Sequence, residues 1–298
     1  MFSPKTKERF ETETAQFIQE EIKAFARTSP LNRIPMLDNN FIFDEPLVKF
    51  ADGDDPIFTE YKTIIAPTHL TPREALAKTF NKSPEDMPVR LSVVSWILPI
   101  TNETRKSNRS ETLTPSRLWS HTRWYGEKFN DAMRQHVVKL LTKKGYLATA
   151  PAIQPYFKWD KNEKGVFSNW SERHIAYAAG HGTFSLSDGF ITECGIAHRC
   201  GSVVTNLMLP ASPRTAENPY SNCLFYVDGS CKACIARCPA GAITEKGHDK
   251  IKCRVYAEDD MSYLLKEYDV GKTGCGLCQT KVPCEFRNPA KKPNKKPE

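Results

Sequence analysis

The chain has no apolar run approaching the roughly 20 residues that a helix needs to cross a bilayer. Residues Met1 to Glu20 are charged throughout and lack the apolar centre of a secretory signal, and no twin-arginine export motif occurs. These absences predict a cytoplasmic protein with no membrane span. No internal repeat is visible. A complete G-x-G-x-x-G fingerprint is missing: Gly180-x-Gly182 lacks the third glycine and follows a helical pattern instead of a strand. A phosphate-cradling P-loop lysine motif is absent as well, so neither common nucleotide site is expected. Without a secretory signal, disulfides are not expected either, and clustered cysteines point to metal.

What the chain does have is ten cysteines, eight of them between Cys223 and Cys284. That asymmetry divides 298 residues into two functional parts, a length that suits one large core or two modest ones. The net charge of +7 is partly a tail effect, because residues 290–298 carry four lysines against one glutamate. The tail is proline-rich and almost free of apolar side chains, and it reads as disordered. Elsewhere basic residues scatter among acidic ones, which argues against nucleic acid as a partner. A mildly basic surface does suit an acidic, low-potential electron donor of the ferredoxin or flavodoxin kind.

Phe10, Phe17, Ile18, Ile22 and Phe25 recur on one face and predict a helix over residues 5–27. Residues 29–56 are rich in proline and aspartate and carry few periodic signals. Thr71-Pro72-Arg73-Glu74 reads as a capping box opening a short helix that runs to Phe80. Arg90 to Ile100 is β-branched, apolar and short, as a buried strand should be. Thr114-Pro115 opens a long helix with Phe129, Met133, Val137, Leu140 and Leu141 as its stripe and Gly145 as its stop. Strands are expected at 146–153 and 201–209, with a short helix at 171–180 between them. The mixture predicts an α+β protein: an α/β cofactor- and substrate-binding domain over 1–212, a two-cluster module over 213–289, and the tail at 290–298.

The module's spacing is Cys223-x7-Cys231-x2-Cys234-x3-Cys238-Pro239, then Cys253, then Cys275-x2-Cys278-x5-Cys284. The C-x2-C-x3-C-P element is the end of the bacterial ferredoxin run, whose last cysteine serves the other cluster. By that crossing rule Cys223, Cys231, Cys234 and Cys284 bind one [4Fe–4S] cluster. Cys238, Cys253, Cys275 and Cys278 bind the second. The first cysteine of the usual run would fall at Asp228, and Cys223 takes its place from further upstream. Zinc ribbons also use C-x2-C pairs, but the C-x3-C-P element and the total of eight favour iron. Cys194 and Cys200 lie outside the module and read as small buried apolar residues.

Residues 170–189 form the densest candidate cofactor loop, in which Gly180, Gly182 and Gly189 would let backbone approach a ligand closely. The run Glu172-Arg173-His174-x-Ala176-x-x-Ala179-Gly180-x-Gly182-Thr183-Phe184, then Gly201-Ser202-Val203-Val204 and the cysteine module, resembles the epoxyqueuosine reductase and reductive dehalogenase superfamily. Pro115-Ser116, Trp119, Arg123, Gly126-Glu127 and Phe129-Asn130 resemble its dehalogenase side, and the resemblance spans roughly residues 85–288.

The resemblance implies a nitroreductase-like domain that holds a base-off cobalamin, a corrinoid, beside the clusters, with a flavin as the alternative cofactor. It implies a reductase acting on a small organic substrate. An electron-transfer or corrinoid-reducing accessory protein is the alternative. Corrinoid contacts would fall at Gly180, Gly182, Thr183, Phe184, Ser185, Gly201 and Ser202, with Arg173 and His174 meeting phosphate or amide groups. Tyr156, Tyr177 and His181 are the available proton donors. The aspartate that epoxyqueuosine reductases use for catalysis falls at Val166 here, and their C-terminal helical-repeat domain for tRNA has no counterpart after Cys284.

Overall fold

The computed structural model describes residues 4–34, 39–163 and 165–291. Most of the 290–298 tail therefore lies outside the described residues. In chain order the principal elements are α1 (Pro4–Thr28), β1 (Leu47–Asp52), α2 (Ile57–Ile64), α3 (Pro72–Phe80), β2 (Ser92–Pro99), α4 (Asn102–Arg109), α5 (Arg117–Lys143) and β3 (Ala148–Thr149). They continue with α6 (Glu172–Ala178), β4 (Gly182–Phe184), β5 (Phe190–Thr192), β6 (His198–Thr205), α7 (Leu224–Asp228), α8 (Ala233–Ala236), α9 (Lys250–Arg254) and α10 (Leu264–Tyr268). The fold is α+β.

Two compact units form. The first comprises Met1–Leu98, Tyr125–His181 and Arg199–Thr215; the second comprises Pro99–Trp124, Gly182–His198 and Ala216–Glu298.

The first unit is built on a four-stranded sheet of order β1-β2-β6-β3. Strand β1 pairs antiparallel with β2, Leu47 opposite Ile97 and Asp52 opposite Ser92. Every residue of β2 is buried, as the unbroken apolar run predicted. Its two faces meet different helices: Val93 joins a core with Phe58 and Tyr61 of α2, Leu76 of α3 and Ile175 of α6. On the other face the Trp96 indole donates to Asn130 of α5. Helix α5 buries Phe129, Met133, Val137 and Leu141 completely, the i, i+4 stripe of its sequence. It ends before Gly145, whose φ of +86° is the left-handed stop that favours glycine. The capping box of α3 is complete, with Thr71 and Glu74 exchanging hydrogen bonds between side chain and backbone.

Several local expectations shift. The strand expected over 146–153 is only two residues long, because Pro151 starts a 3-10 turn that breaks the pairing. The strand expected at 201–209 begins earlier, at His198, and ends at Thr205. The proline- and aspartate-rich stretch contains β1, whose formation depends on pairing with a strand some forty residues on. A hairpin over Trp159–Asn162 and Gly165–Ser168 was also unanticipated.

The second unit has little regular structure. Its core is small: Leu186, Ile191, Ile196, Cys223, Ile243 and Val282, with Cys234, Cys238, Cys278 and Cys284 packed against it. Hairpin β4–β5 supplies part of that core, so Gly182–Phe184, expected as open loop, is a paired strand.

Candidate metal centre

Each cysteine of the second unit sits where a short element turns. Cys223 precedes α7, and its carbonyl accepts the amides of Tyr226 and Val227. Cys234 lies within α8, and Cys238 follows that helix, its sulfur accepting the Ala242 amide at 3.3 Å. Cys253 is carried by α9, which Asp249 caps. Cys275 and Cys278 flank Gly276, whose φ is +60° and whose missing Cβ leaves room for the Trp119 indole. Cys284 is held by its carbonyl, which accepts the Ile196 amide at 2.8 Å. None of the ten cysteines is in a disulfide.

Cys223, Cys231, Cys234 and Cys284 line one cavity together with Ile191, Ile196, Phe225 and Val282. Its volume is about 370 Å³, counting the space open at its mouth. Burial pushes the Cys284 thiol up to about 12, and neighbouring Cys223, Cys234 and Cys231 push it further in the same direction. Cys234 is raised to about 11 by burial and then by Cys223 and Cys231. The other four cysteines are also electrostatic neighbours. Burial raises Cys275 to about 11, with Cys253 and Cys238 adding to it. Cys278 is raised by burial and then by Cys275 and Cys253, with smaller contributions from Cys234 and Cys238.

A metal centre bound among these thiols would hold them as thiolates despite their burial. The donor set therefore fits iron–sulfur clusters: soft sulfur ligands, an apolar lining and a cavity. Among the described residues no three His, Cys, Asp or Glu side chains converge tightly enough for a single ion.

The residues expected to meet a corrinoid divide between the units. In the first unit, Ser202 is fully buried; its hydroxyl donates to Glu172 at 2.6 Å and accepts the Trp170 indole N–H at 3.0 Å. A Cβ on Gly201 would lie 2.4 Å from the Trp96 indole. Gly180 has φ +76° and faces the Pro213 carbonyl, while its own carbonyl accepts the Lys49 ammonium at 2.7 Å. His174 Nδ1 bonds the Ser171 hydroxyl, and Arg173 is exposed. Tyr156 donates to the Ala75 carbonyl and pairs with the Thr79 hydroxyl. Tyr177 packs against the core, and the Nε2 of buried His181 bonds the Ser95 carbonyl.

In the second unit, Gly182 lies against the Ile191 carbonyl, 2.0 Å from where a Cβ would stand. The Thr183 hydroxyl accepts the Asn222 amide, and the Phe184 amide donates to the Pro219 carbonyl. Ser185 pairs with Ser187, and both line the cysteine cavity. The glycines thus admit the protein's own backbone and indole, and the hydroxyls are engaged within the protein.

Sequence reasoning missed three charged arrangements. Arg134, almost fully buried, pairs with Glu127, Asp131 and Glu172. Glu285, beside Cys284, pairs with Arg109 and Arg105. Arg237, beside Cys238, donates to backbone carbonyls of two other segments. Apart from the spacing of Glu127 and Asp131 from Arg134 on α5, these pairings join residues far apart in the chain.

No protein-family profile matches the chain. Over 119 residues it is 31% identical to epoxyqueuosine reductase of Bacillus anthracis, a match covering 38% of this chain and 29% of that protein. Among solved structures the chain resembles epoxyqueuosine reductase bound to a tRNA-Tyr stem loop, with TM-score 0.48, 17% identity, and coverage of 91% of this chain and 66% of the other. The enzyme from Bacillus subtilis gives TM-score 0.47 at 16% identity, with the same coverage. A catabolic reductive dehalogenase bound to 3-bromo-4-hydroxybenzoic acid gives 0.45 at 16%, covering 66% of this chain and 26% of that one. The chain therefore spans less than two thirds of these relatives' length. No described helix is long and apolar enough to cross a membrane.

Proposed function

We propose that this chain is an iron–sulfur oxidoreductase that carries electrons through two [4Fe–4S] clusters held by two sets of four cysteines. The observation that carries the reading is the shared cavity of Cys223, Cys231, Cys234 and Cys284, three cysteines close in sequence and one from the far end of the module. Cys238, Cys253, Cys275 and Cys278 hold the second cluster. Bound clusters of this type supply one-electron transfer at low potential. The protein's part is to fix the sulfurs, to supply the Ala242 N–H to the Cys238 sulfur and to line the first site with apolar side chains. Each of these shifts a cluster's potential. A ferredoxin or flavodoxin is the donor.

The electron acceptor has two readings. Kinship with epoxyqueuosine reductase supports an acceptor bound by residues 1–212, a corrinoid (or a flavin), and reduction of a small organic substrate. The filled positions at Gly182, Gly201 and Ser202 support the other, in which electrons leave to a partner protein and the chain has no organic substrate of its own.

Anaerobic production with cobalamin supplied, followed by iron and cobalt analysis and an absorption spectrum, separates these readings. About eight irons per chain is the expected result. One cobalt per chain in addition supports the corrinoid reductase; none, with no flavin band, supports the electron carrier. A chain that binds zinc, or about four irons, overturns the two-cluster reading.

A further inference from the structure

Arg237 immediately precedes Cys238 in the sequence, and its guanidinium reaches two other segments of the second unit. Nη1 donates to the Glu111 carbonyl at 2.6 Å and Nη2 to the Asn108 carbonyl at 3.1 Å, at the C-terminal end of α4. Nε is shared between the Leu277 carbonyl at 3.2 Å and the Thr280 carbonyl at 3.1 Å. A longer contact of 3.4 Å runs from Nη2 to the Thr280 hydroxyl. Leu277 and Thr280 bracket Cys278. One rigid fork therefore ties the residue beside Cys238 to the turn that presents Cys278.

All these partners are carbonyl or hydroxyl oxygens. Among the described residues no carboxylate neutralises Arg237, in contrast to Arg105 and Arg109, which share Glu285. Its guanidinium lies against the turn that carries Cys278, bonded to the carbonyls of Leu277 and Thr280. Arginine suits this position: it stays charged, and its planar donors satisfy several carbonyls at once. Capping α4 also sets a cation against the negative end of a helix.

We propose that Arg237 is a positioning residue for the second cluster, fixing Cys238 against Cys278, and that its unneutralised charge raises that cluster's reduction potential above the first. Reduction adds one negative charge to a cluster. A cation held nearby in a partly desolvated site favours the reduced form. Electrons that enter the first cluster would then run downhill to the second. The inference rests on the two-cluster reading of the cysteines.

The test uses the full chain with its clusters, by potentiometric titration followed by electron paramagnetic resonance, with iron analysis alongside. Wild type should show about eight irons and two reducible clusters of different potential. Arg237→Gln removes the charge and most of the fork, and should shift the higher-potential cluster to more negative potential while the other stays in place. Arg237→Lys keeps the charge and loses the fork, so its potential should move less while the signal shape of the same cluster changes. Cys284→Ser, which alters the other set, identifies which signal is which. Unchanged potentials in Arg237→Gln, or equal shifts of both clusters, overturn the inference. If Arg237→Gln fails to hold iron, Arg237→Lys decides: an altered signal from one cluster supports the assignment, and a wild-type spectrum overturns it. Fewer than eight irons in wild type overturns the two-cluster reading itself, whatever Arg237 does.

Discussion

Arg109 grips Glu285 with two nitrogens: Nε lies 2.9 Å from both carboxylate oxygens and Nη2 lies 2.6 Å from Oε1. The carboxylate is 2% exposed and also accepts the Lys281 amide at 2.8 Å. Because Glu285 follows Cys284 directly, the pair holds the far end of the cysteine module. Removing Arg109, itself about one third exposed, leaves the buried carboxylate with Arg105 as its remaining counterion. Arg109→Ala should therefore cost about 2 kcal/mol of stability, and Glu285→Gln less, since the amide keeps the shape. Denaturant unfolding of both variants measures this. A loss below about 1 kcal/mol in Arg109→Ala would mean that Arg105 alone suffices.

Replacing Cys231 or Cys284 with serine should lower iron from about eight toward four per chain, because each serves one cluster of the two. Cys194→Ser and Cys200→Ser should leave iron unchanged. Burial pushes the Cys200 thiol up to about 12 despite nearby Arg173, so it stays protonated at neutral pH. Although partly exposed, it should resist alkylation at neutral pH because the thiol stays protonated, whereas rapid labelling would contradict that raised value.

Gly195 and Gly229 make a matched pair of tests. Both have positive φ, +82° and +72°. A Cβ at Gly195 would meet the Phe286 backbone nitrogen at 2.4 Å, while nothing lies within 4 Å of one at Gly229. Gly229→Ala should cost only the conformational strain, about 1 kcal/mol. Gly195→Ala must in addition displace the backbone of Glu285 and Phe286 in the bend after Cys284, so its loss of stability should be plainly larger. Equal losses in urea unfolding would show that this segment yields.

Acid stability depends in part on Glu74. Burial pushes its carboxyl up, but hydrogen bonds from the Thr71 amide and the Lys62 ammonium outweigh burial and hold it below the ordinary value of 4.5. A carboxylate with a depressed folded-state pKa contributes stability above its unfolded value, and that contribution is lost as pH falls through the folded value. Glu74→Gln should flatten the fall in stability below pH 4.5, and Thr71→Ala should cost about 1 kcal/mol at neutral pH. Unfolding measured from acid to neutral pH checks both. An unchanged acid limb in Glu74→Gln would remove Glu74 from the account.

What the sequence by itself determined is local. Helix α5 declares itself through a stripe at i, i+4 and a glycine stop, α3 through a capping box, and β2 through an unbroken apolar run. The cysteine spacing states its chemistry as directly, because thiolates grouped at short intervals suit few ligands other than soft metal clusters. Each of these signals depends on neighbours a few residues away, within reach of one helical turn or one short loop.

Tertiary structure alone decided the rest. Gly182 and Gly201 read as openings for a ligand, yet an Ile191 carbonyl and the Trp96 indole occupy that space. Strand β1 forms within a stretch of few periodic signals, because β2 offers it an edge. Segments 99–124 and 182–198 fold into the unit that holds the cysteines, bringing Arg109 to a glutamate 176 positions later in the chain. A lone arginine or glutamate carries no periodicity, and its partner is chosen only when the chain closes over it and solvent is excluded.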